Sequence, residues 1–457
     1  MLQGVLPEIS SFLVHGKIVF FNPKNGVFSF DKSDVEESIG ISLFDPPEFS
    51  ADLYSTVTIC LQVSNACNFA CDYCFNHTKS SIFMAFDDAK KVLDRMFIKF
   101  KNAEKFFVDV SGSGEPLLCF SLILDINNYC KKMSNKLRKE VLVMFVTNGL
   151  LLTDENVALL QENGILFGVS VDGCKKVHDA HRRTASGSAT FELVMKNVQG
   201  IADRQYIGCA VTLTKVQFPL LETIEDLLHV FSTISIKPVR SMFYGFDDAA
   251  VDFWIGEYDR LCTYLLAQAT KGDYKMAQAL LNGDDYFGKF LLRGILDLKA
   301  YNRCDAGSGR ISFDASGNSW CCPAANGIGE LSLGKEWTVD DESCKKLYQK
   351  SVGATPCKCC EFRYFCGGEC FVELFFHSWN PNKTMCRFNQ ALIKLALFFT
   401  CEIETSIPRA FYFLSAFCEA KIARLKKDKT LDAFLSQNPT LSFVEGKRRY
   451  DLLHPKY

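Results

Sequence analysis

Cys67-Asn68-Phe69-Ala70-Cys71-Asp72-Tyr73-Cys74 follows closely on an apolar run from Thr56 to Val63. Three thiols gathered within one short loop can hold a four-iron cluster, in which each iron wants a thiolate, and leave one iron open to an outside ligand. An open coordination position is where metal chemistry takes place, by the logic that separates catalytic from structural zinc. The chain has 21 cysteines in 457 residues. Its amino terminus lacks the basic-then-apolar pattern of a secretory signal. Many thiols without such a signal indicate metal binding rather than disulfides. The expected setting is therefore a reducing, cytoplasmic and anaerobic one.

Composition removes other classes. Fifty-one Lys and Arg against 53 Asp and Glu leave a net charge of −2, which gives no footprint for nucleic acid. No run approaches the ~18 uninterrupted apolar residues of a membrane span. A hydrophobic content of 48% is enough to fill a sizeable core.

From residue 56 to about 245, strand-like and helix-like stretches alternate. Strands are expected at 56–63, 106–110, 141–146, 166–171, 206–212 and 239–243, with helices at 87–100, 120–132, 154–163, 191–202 and 221–232. This alternation predicts an α/β fold with a parallel sheet. Short polar motifs follow successive strands: Ser113-Gly114-Glu115-Pro116, then Thr147-Asn148-Gly149, then Ser170-Val171-Asp172-Gly173 with Arg182-Arg183 beyond. Each alone reads as an ordinary turn. Together they fall at the carboxyl ends of strands, where parallel α/β folds bind ligands.

The cysteine spacing, with aromatic Tyr73 before the last thiol and Phe75 after it, resembles the radical S-adenosylmethionine (radical SAM) family, and the later motifs recur in that family's order. The resemblance implies a partial six-unit (β/α) barrel of TIM-like form. It implies an iron–sulfur cluster on Cys67, Cys71 and Cys74 whose open iron chelates SAM. SAM contacts carry over to Tyr73, Gly114, Glu115, Asn148, Ser170, Asp172 and Arg182, with Ser113 standing where the family has a first glycine. No residue is assigned as the group that acts on substrate.

A second array lies further along: Cys304, Cys322, Cys357, Cys360, Cys366, Cys370 and Cys386. Taken alone it would suggest structural zinc. Joined to the first motif, it is similar to the SPASM pattern of radical SAM enzymes carrying auxiliary clusters, so that three [4Fe-4S] clusters are expected in all. The resemblance places Cys357, Cys360, Cys366 and Cys386 on an outer cluster, and Cys304, Cys322 and Cys370 on an inner one. The usual fourth inner cysteine is replaced by Arg310. Either Cys321, Cys344 or Cys359 supplies the missing thiolate, or the inner cluster keeps an open iron able to take a soft substrate group.

The resemblance further implies a peptide-modifying oxidoreductase. SAM would be cleaved reductively to a 5′-deoxyadenosyl radical, which abstracts a hydrogen from a ribosomally made precursor peptide. A thioether, carbon–carbon or ether crosslink, or a related modification, follows, and the leftover electron passes to an auxiliary cluster. The expected partners are that peptide and an electron donor such as flavodoxin or ferredoxin, with the chain a monomer or weak homo-oligomer. An anaerobic sulfatase maturase is the alternative. Such enzymes carry an aspartate directly after the cysteine equivalent to Cys322, and here that residue is Pro323. A non-catalytic metal or electron-carrier protein would account for the cysteines but leave Glu115, Ser170 and Arg182 without a role.

The expected organisation is a β-hairpin segment at 1–50, either a truncated leader-binding element or a cover for the barrel, then the barrel at 51–245. A helical bridge at 246–303, the auxiliary-cluster domain at 304–390 and carboxyl-terminal helices at 391–457 follow. Lys426, Lys427 and Lys429 near the end of the last helix read as dipole-compensating charges. The remaining cysteines read as small buried apolar residues.

Overall fold

The computed structural model describes residues 6–41, 49–51, 54–76, 79–202, 207–239, 246–300, 302–353 and 355–425. The chain forms two compact units. One comprises Met1–Glu48, Phe246–Cys304 and Ser351–Tyr457, and the other Phe49–Gly245 and Asp305–Lys350. The stretch expected to form the auxiliary-cluster domain is thus divided between them.

The first unit opens with an antiparallel sheet of β1 (Ser10–Val14), β2 (Lys17–Phe21) and β3 (Phe28–Ser29). His15 and Gly16 both take positive φ, 46° and 78°, the pair of left-handed residues that a tight hairpin turn of matching twist demands. The hairpin's aromatic side packs on the carboxyl-terminal cysteine array. Phe21 stacks on Phe362 with centroids 5.1 Å apart, Phe28 meets Phe365 edge-on, and Ser10 donates to Glu361. Helix Lys383–Thr405 is the hub of this unit, packed against Asp248–Lys271, Gly288–Ile295 and Pro408–Leu425. Among its largest fully buried side chains are Trp254, Tyr258, Phe287, Phe388 and Phe399. Lys426, Lys427 and Lys429 lie outside the described residues.

The second unit is built on a nine-stranded sheet. The strands are β4 (Thr56–Leu61), β5 (Lys105–Asp109), β6 (Glu140–Thr147), β7 (Leu166–Ser170), β8 (Gly208–Leu213), β9 (Thr233–Pro238), β10 (Arg310–Phe313), β11 (Ser319–Trp320) and β12 (Ser332–Gly334). Their order is β12-β11-β10-β4-β5-β6-β7-β8-β9, with every pairing from β10 to β9 parallel and β11 antiparallel to both its neighbours. The order runs between two ends without closing, as the partial barrel requires. Helices return the chain between strands. Phe86–Lys99, for example, buries Ala89, Val92, Leu93, Met96 and Phe97, the i, i+3, i+4, i+7, i+8 stripe of an amphipathic helix.

Two differences from the sequence reading have physical causes. The sixth barrel strand is not at 239–243 but at Thr233–Pro238, where Ile234, Ile236 and Pro238 alternate inward and Lys237 outward. The helix before it ends at Leu227, and residues 240–243 lie outside the described residues. The expected helix at 221–232 stops just short of the run Thr-Ile-Ser-Ile, whose period of two is too short to stand out beside the helical period that precedes it. The second difference is β10, a strand from the segment after Cys304 that pairs in register with β4, Arg310 opposite Thr58 and Phe313 opposite Leu61. Of the cysteines outside the motifs, Cys174 and Cys359 are exposed while Cys60, Cys119, Cys130, Cys209, Cys262, Cys321, Cys344, Cys401 and Cys418 are buried.

Candidate active site and metal centres

Because β4 to β7 are parallel, the loops after them emerge at one edge of the sheet, and each carries one of the polar motifs. The loop after β4 bears Cys67, Cys71 and Cys74. It is tied to the segment after helix Lys175–His181, with Ala70 N donating to Arg183 O at 2.7 Å and Asp72 N to His181 O at 3.3 Å. His181 Nδ1 lies 3.0 Å from both Asp72 carboxylate oxygens, and its Nε2 lies 3.0 Å from Thr214 Oγ1. The buried ring of Phe69 plugs the loop from beneath.

The loop after β5 is pressed against this one. Glu115 N donates to Ala66 O at 2.8 Å. A Cβ placed on Gly114 would lie 2.3 Å from Ala66 O and 2.5 Å from Ser64 O. The glycine thus permits main chain to approach main chain immediately before Cys67. Gly114→Ala must push these carbonyls away, at about 1–3 kcal/mol or more for an overpacked site. We expect the variant to hold less iron after anaerobic reconstitution and to show a lower urea midpoint. Wild-type iron content in that variant would refute this account of Gly114.

Glu115 is buried and its carboxylate is fully engaged. Oε1 accepts from Thr147 Oγ1 at 2.6 Å and Leu117 N at 3.1 Å, and Oε2 from Asn148 N at 2.8 Å. Burial raises its pKa, against the opposing pull of those three donors. Asn148 Nδ2 donates to Asn68 Oδ1 at 2.6 Å and reaches to 4.0 Å from Cys67 Sγ. Ser170 closes β7, half-buried.

Asp172 is completely buried beyond β7. Its Oδ2 accepts from Arg182 Nε at 2.8 Å and from the Tyr73 hydroxyl, and its Oδ1 from Thr212 N at 2.8 Å and Arg182 Nη2 at 3.2 Å. Burial works against the carboxylate, yet Arg182 and these donors hold its pKa below the usual range. The Arg182 guanidinium also lies 5.4 Å from the Tyr73 ring centroid. Tyr73, Asp172 and Arg182, noted separately in the sequence, are thus one constellation beside the cysteine loop. Burial pushes the Cys71 thiol up to about 11, opposed by the Arg182 charge. His181 and Thr212 were missed in the sequence, because isolated polar residues carry no spacing signal, and Thr147 was noted only as part of the Thr147-Asn148-Gly149 turn, not as a partner of Glu115.

His178 completes this wall, with Nδ1 3.3 Å from Asp172 N and Nε2 3.1 Å from Thr190 Oγ1. Burial, then the Arg182 charge, lowers its pKa from 6.5 to about 4. The unfolded chain therefore binds this proton more readily than the folded one. Stability from His178 is complete above about pH 6.5 and is lost as pH falls toward about 4, up to about 3 kcal/mol in all. Urea midpoints measured from pH 7.5 down to 5 should fall less steeply in His178→Gln than in the wild type; parallel slopes would contradict this.

In the other unit, Cys357, Cys360, Cys366 and Cys386 line a single cavity of about 290 Å³, together with Arg363, Glu369, Asn389 and Gln390 among others. Asn382 caps helix Lys383–Thr405, so Cys386 stands in its first turn, where the helix dipole favours a thiolate. Burial followed by the neighbouring thiols raises Cys357 to about 11, and burial followed by Glu369 and those thiols raises Cys386 to about 12. A cationic group in the cavity would reverse that repulsion. Cys304 and Cys370 belong to the same unit as this cavity and Cys322 to the other. Arg310 points its guanidinium to within 3.9 Å of Asp109. Among the described residues, no group of three or more His, Cys, Asp or Glu side chains is gathered tightly enough for a single ion. The donor chemistry of both cysteine sets, three thiols in one loop and four around one cavity, is of the kind an iron–sulfur cluster takes.

Known proteins agree with this geometry. The sequence profile of the Radical SAM superfamily matches residues 61–231. A cysteine-type anaerobic sulfatase-maturating enzyme of Clostridium novyi is 28% identical over 144 residues, 30% of this chain and 37% of that one. An uncharacterised protein of Methanocaldococcus jannaschii is 29% identical over 39% of this chain and 60% of its own length. A radical SAM cyclopropyl synthase of Paramaledivibacter caminithermalis is 23% identical over 68% of this chain and 66% of that one. Among the first of these relatives, the chain spans from a little over a third to three-fifths of their length. A solved structure described as native anSMEcpe with bound AdoMet shares the fold, with a TM-score of 0.57, 17% identity, and coverage of 77% of this chain and 100% of that one. Among the described residues, no helix is long and apolar enough to cross a membrane.

Proposed function

We propose, for a chain whose residues 61–231 match the Radical SAM superfamily, that it is a peptide maturase working by radical chemistry in a reducing cytoplasm. The observation that carries this reading is the junction of the Cys67–Cys74 loop with Glu115, Asn148 and the Tyr73–Asp172–Arg182 constellation at one edge of a parallel sheet. Cys67, Cys71 and Cys74 would hold the cluster, and Gly114, Glu115, Asn148, Ser170, Asp172, Arg182 and Tyr73 would surround SAM. Bound together, these groups supply a 5′-deoxyadenosyl radical able to take a hydrogen atom from a substrate carbon. The chain's own residues then orient and exclude water. Arg182 presents a fixed positive charge suited to a carboxylate, held in place by Asp172. Glu115 presents a carboxylate braced by three donors. Tyr73 gives an aromatic face for an adenine.

Cys357, Cys360, Cys366 and Cys386 would hold an outer auxiliary cluster, and Cys304, Cys322 and Cys370 an inner one. These extra clusters favour a SPASM-type modifier acting on a precursor peptide, with an electron donor such as flavodoxin or ferredoxin. Sulfatase maturation is the second reading, favoured by the names of relatives. The matches span little more than a third of those maturases, and Pro323 stands where a carboxylate base is wanted.

Anaerobic reconstitution followed by dithionite and SAM should give about twelve irons per chain and release 5′-deoxyadenosine. Zinc in place of iron, or iron without SAM cleavage, overturns the enzyme reading. Formylglycine on a sulfatase-motif peptide would select the second reading. A short encoded peptide losing only the mass of the hydrogens given up in a crosslink would select the first.

A further inference from the structure

Two charged side chains beside the four-cysteine cavity are left incompletely satisfied. Arg303 lies on the ring of Tyr286, its guanidinium 4.6 Å from the centroid. Its Nη1 reaches Cys366 Sγ at 3.9 Å and Gly368 O at 3.4 Å, while its Nη2 is buried with no hydrogen-bond partner among the described residues. Glu369 is 5% exposed and lines the cavity itself. One carboxylate oxygen accepts from Cys370 N at 2.9 Å, and the other, Oε2, is buried without a partner among the described residues. Burying a charged atom unsatisfied costs more than burying a neutral one, and each such atom calls for an explanation. Here two of opposite sign flank the same four thiols.

We propose that Arg303 and Glu369 set the reduction potential of the group held by Cys357, Cys360, Cys366 and Cys386, acting through those thiolates with opposite sign. This rests on the reading of the cavity as an outer cluster site. Cluster potentials follow net charge, hydrogen bonds to sulfur and exposure, and outer-shell partners tune the ligands they touch. One-electron reduction adds a negative charge to the cavity. Arg303, donating to the Cys366 sulfur, stabilises that charge, and the Glu369 carboxylate opposes it.

The test is an EPR-monitored redox titration of the reconstituted full-length protein, the outer-cluster signal being the one missing in Cys386→Ser. Arg303→Met should move that midpoint to more negative potential and Glu369→Gln to more positive potential, with the other signals unmoved. Arg303→Met/Glu369→Gln should return close to the wild-type midpoint. Arg303→Lys, which keeps the charge but loses the planar fork, should shift less than Arg303→Met and serves if the methionine variant does not fold. Unshifted midpoints, or shifts of the same sign, overturn the proposal even where stability falls, because a merely structural pair would lower stability alone. A wild-type protein with the same iron content as Cys386→Ser overturns the underlying cluster assignment instead, and the proposal with it.

Discussion

Alanine at any one of Cys67, Cys71 or Cys74 should abolish 5′-deoxyadenosine release and lower bound iron by about four per chain. The loss in turnover should exceed the ~10–100-fold that follows from altering an outer-shell partner of a metal ligand, because the ligand itself is gone. The fold should survive. All three cysteines are half-buried in a loop beyond the end of β4, and the loop's main chain is tied to His181 and Arg183 by bonds that no thiol supplies. Far-ultraviolet circular dichroism and the urea midpoint of the iron-free protein should therefore match the wild type. Equal deoxyadenosine from any of these variants would show that the cleaving cluster is held elsewhere. Alanine at Cys386 should remove a similar amount of iron but leave deoxyadenosine formation without peptide in place, since its cavity lies in the other compact unit.

The largest stability effect is expected at Asp172. Alanine there leaves the Arg182 guanidinium buried against Tyr73 and without its two carboxylate contacts, and it orphans Thr212 N as well. Removing one partner of a buried pair costs about 3–5 kcal/mol, because the remaining charge has no compensation. The urea midpoint should drop accordingly. Asp172→Ala/Arg182→Met should regain most of the loss, since the uncompensated charge is then absent as well. A double variant as unstable as the sum of the singles would show that the two residues contribute separately. The regained stability should not regain SAM affinity if Arg182 is the group that holds the SAM carboxylate, so the two readouts separate structural from binding roles.

Much of this arrangement was legible in the chain itself. The alternation of β-branched runs with amphipathic stretches gave the parallel sheet, and loops following strands gave one functional edge. Cysteine spacing pointed to two thiol arrays, and the family resemblance it carries picked out the four residues that line one cavity. What the sequence withheld is non-local. Thr147, Thr212 and His181 are ordinary polar residues until the sheet brings Thr147 to Glu115, Thr212 to Asp172 and His181 to Asp72. Nothing near Arg303 announced a buried guanidinium, because its partners Tyr286 and Gly368 stand far from it along the chain. The sixth strand was expected six residues too late, at 239–243, because the period-two run Thr233–Pro238 is short and directly follows a helical stretch.

The pairing of β10 with β4 has a bearing on how this protein comes to exist in a cell. The strand that leads into the first cysteine loop has β5 on one side, and its other side is covered by residues made on the order of 250 positions later, roughly 10–50 s at ordinary rates of synthesis. Until then the nascent chain presents the main-chain donors and acceptors of an apolar strand, Thr-Val-Thr-Ile-Cys-Leu, as a bare edge open to other chains. Cutting the gene after residue 245 would make that interval permanent. The free side of β4 is thus covered only by the segment that follows Cys304, so the stretch 56–245 is not self-sufficient as a folding unit.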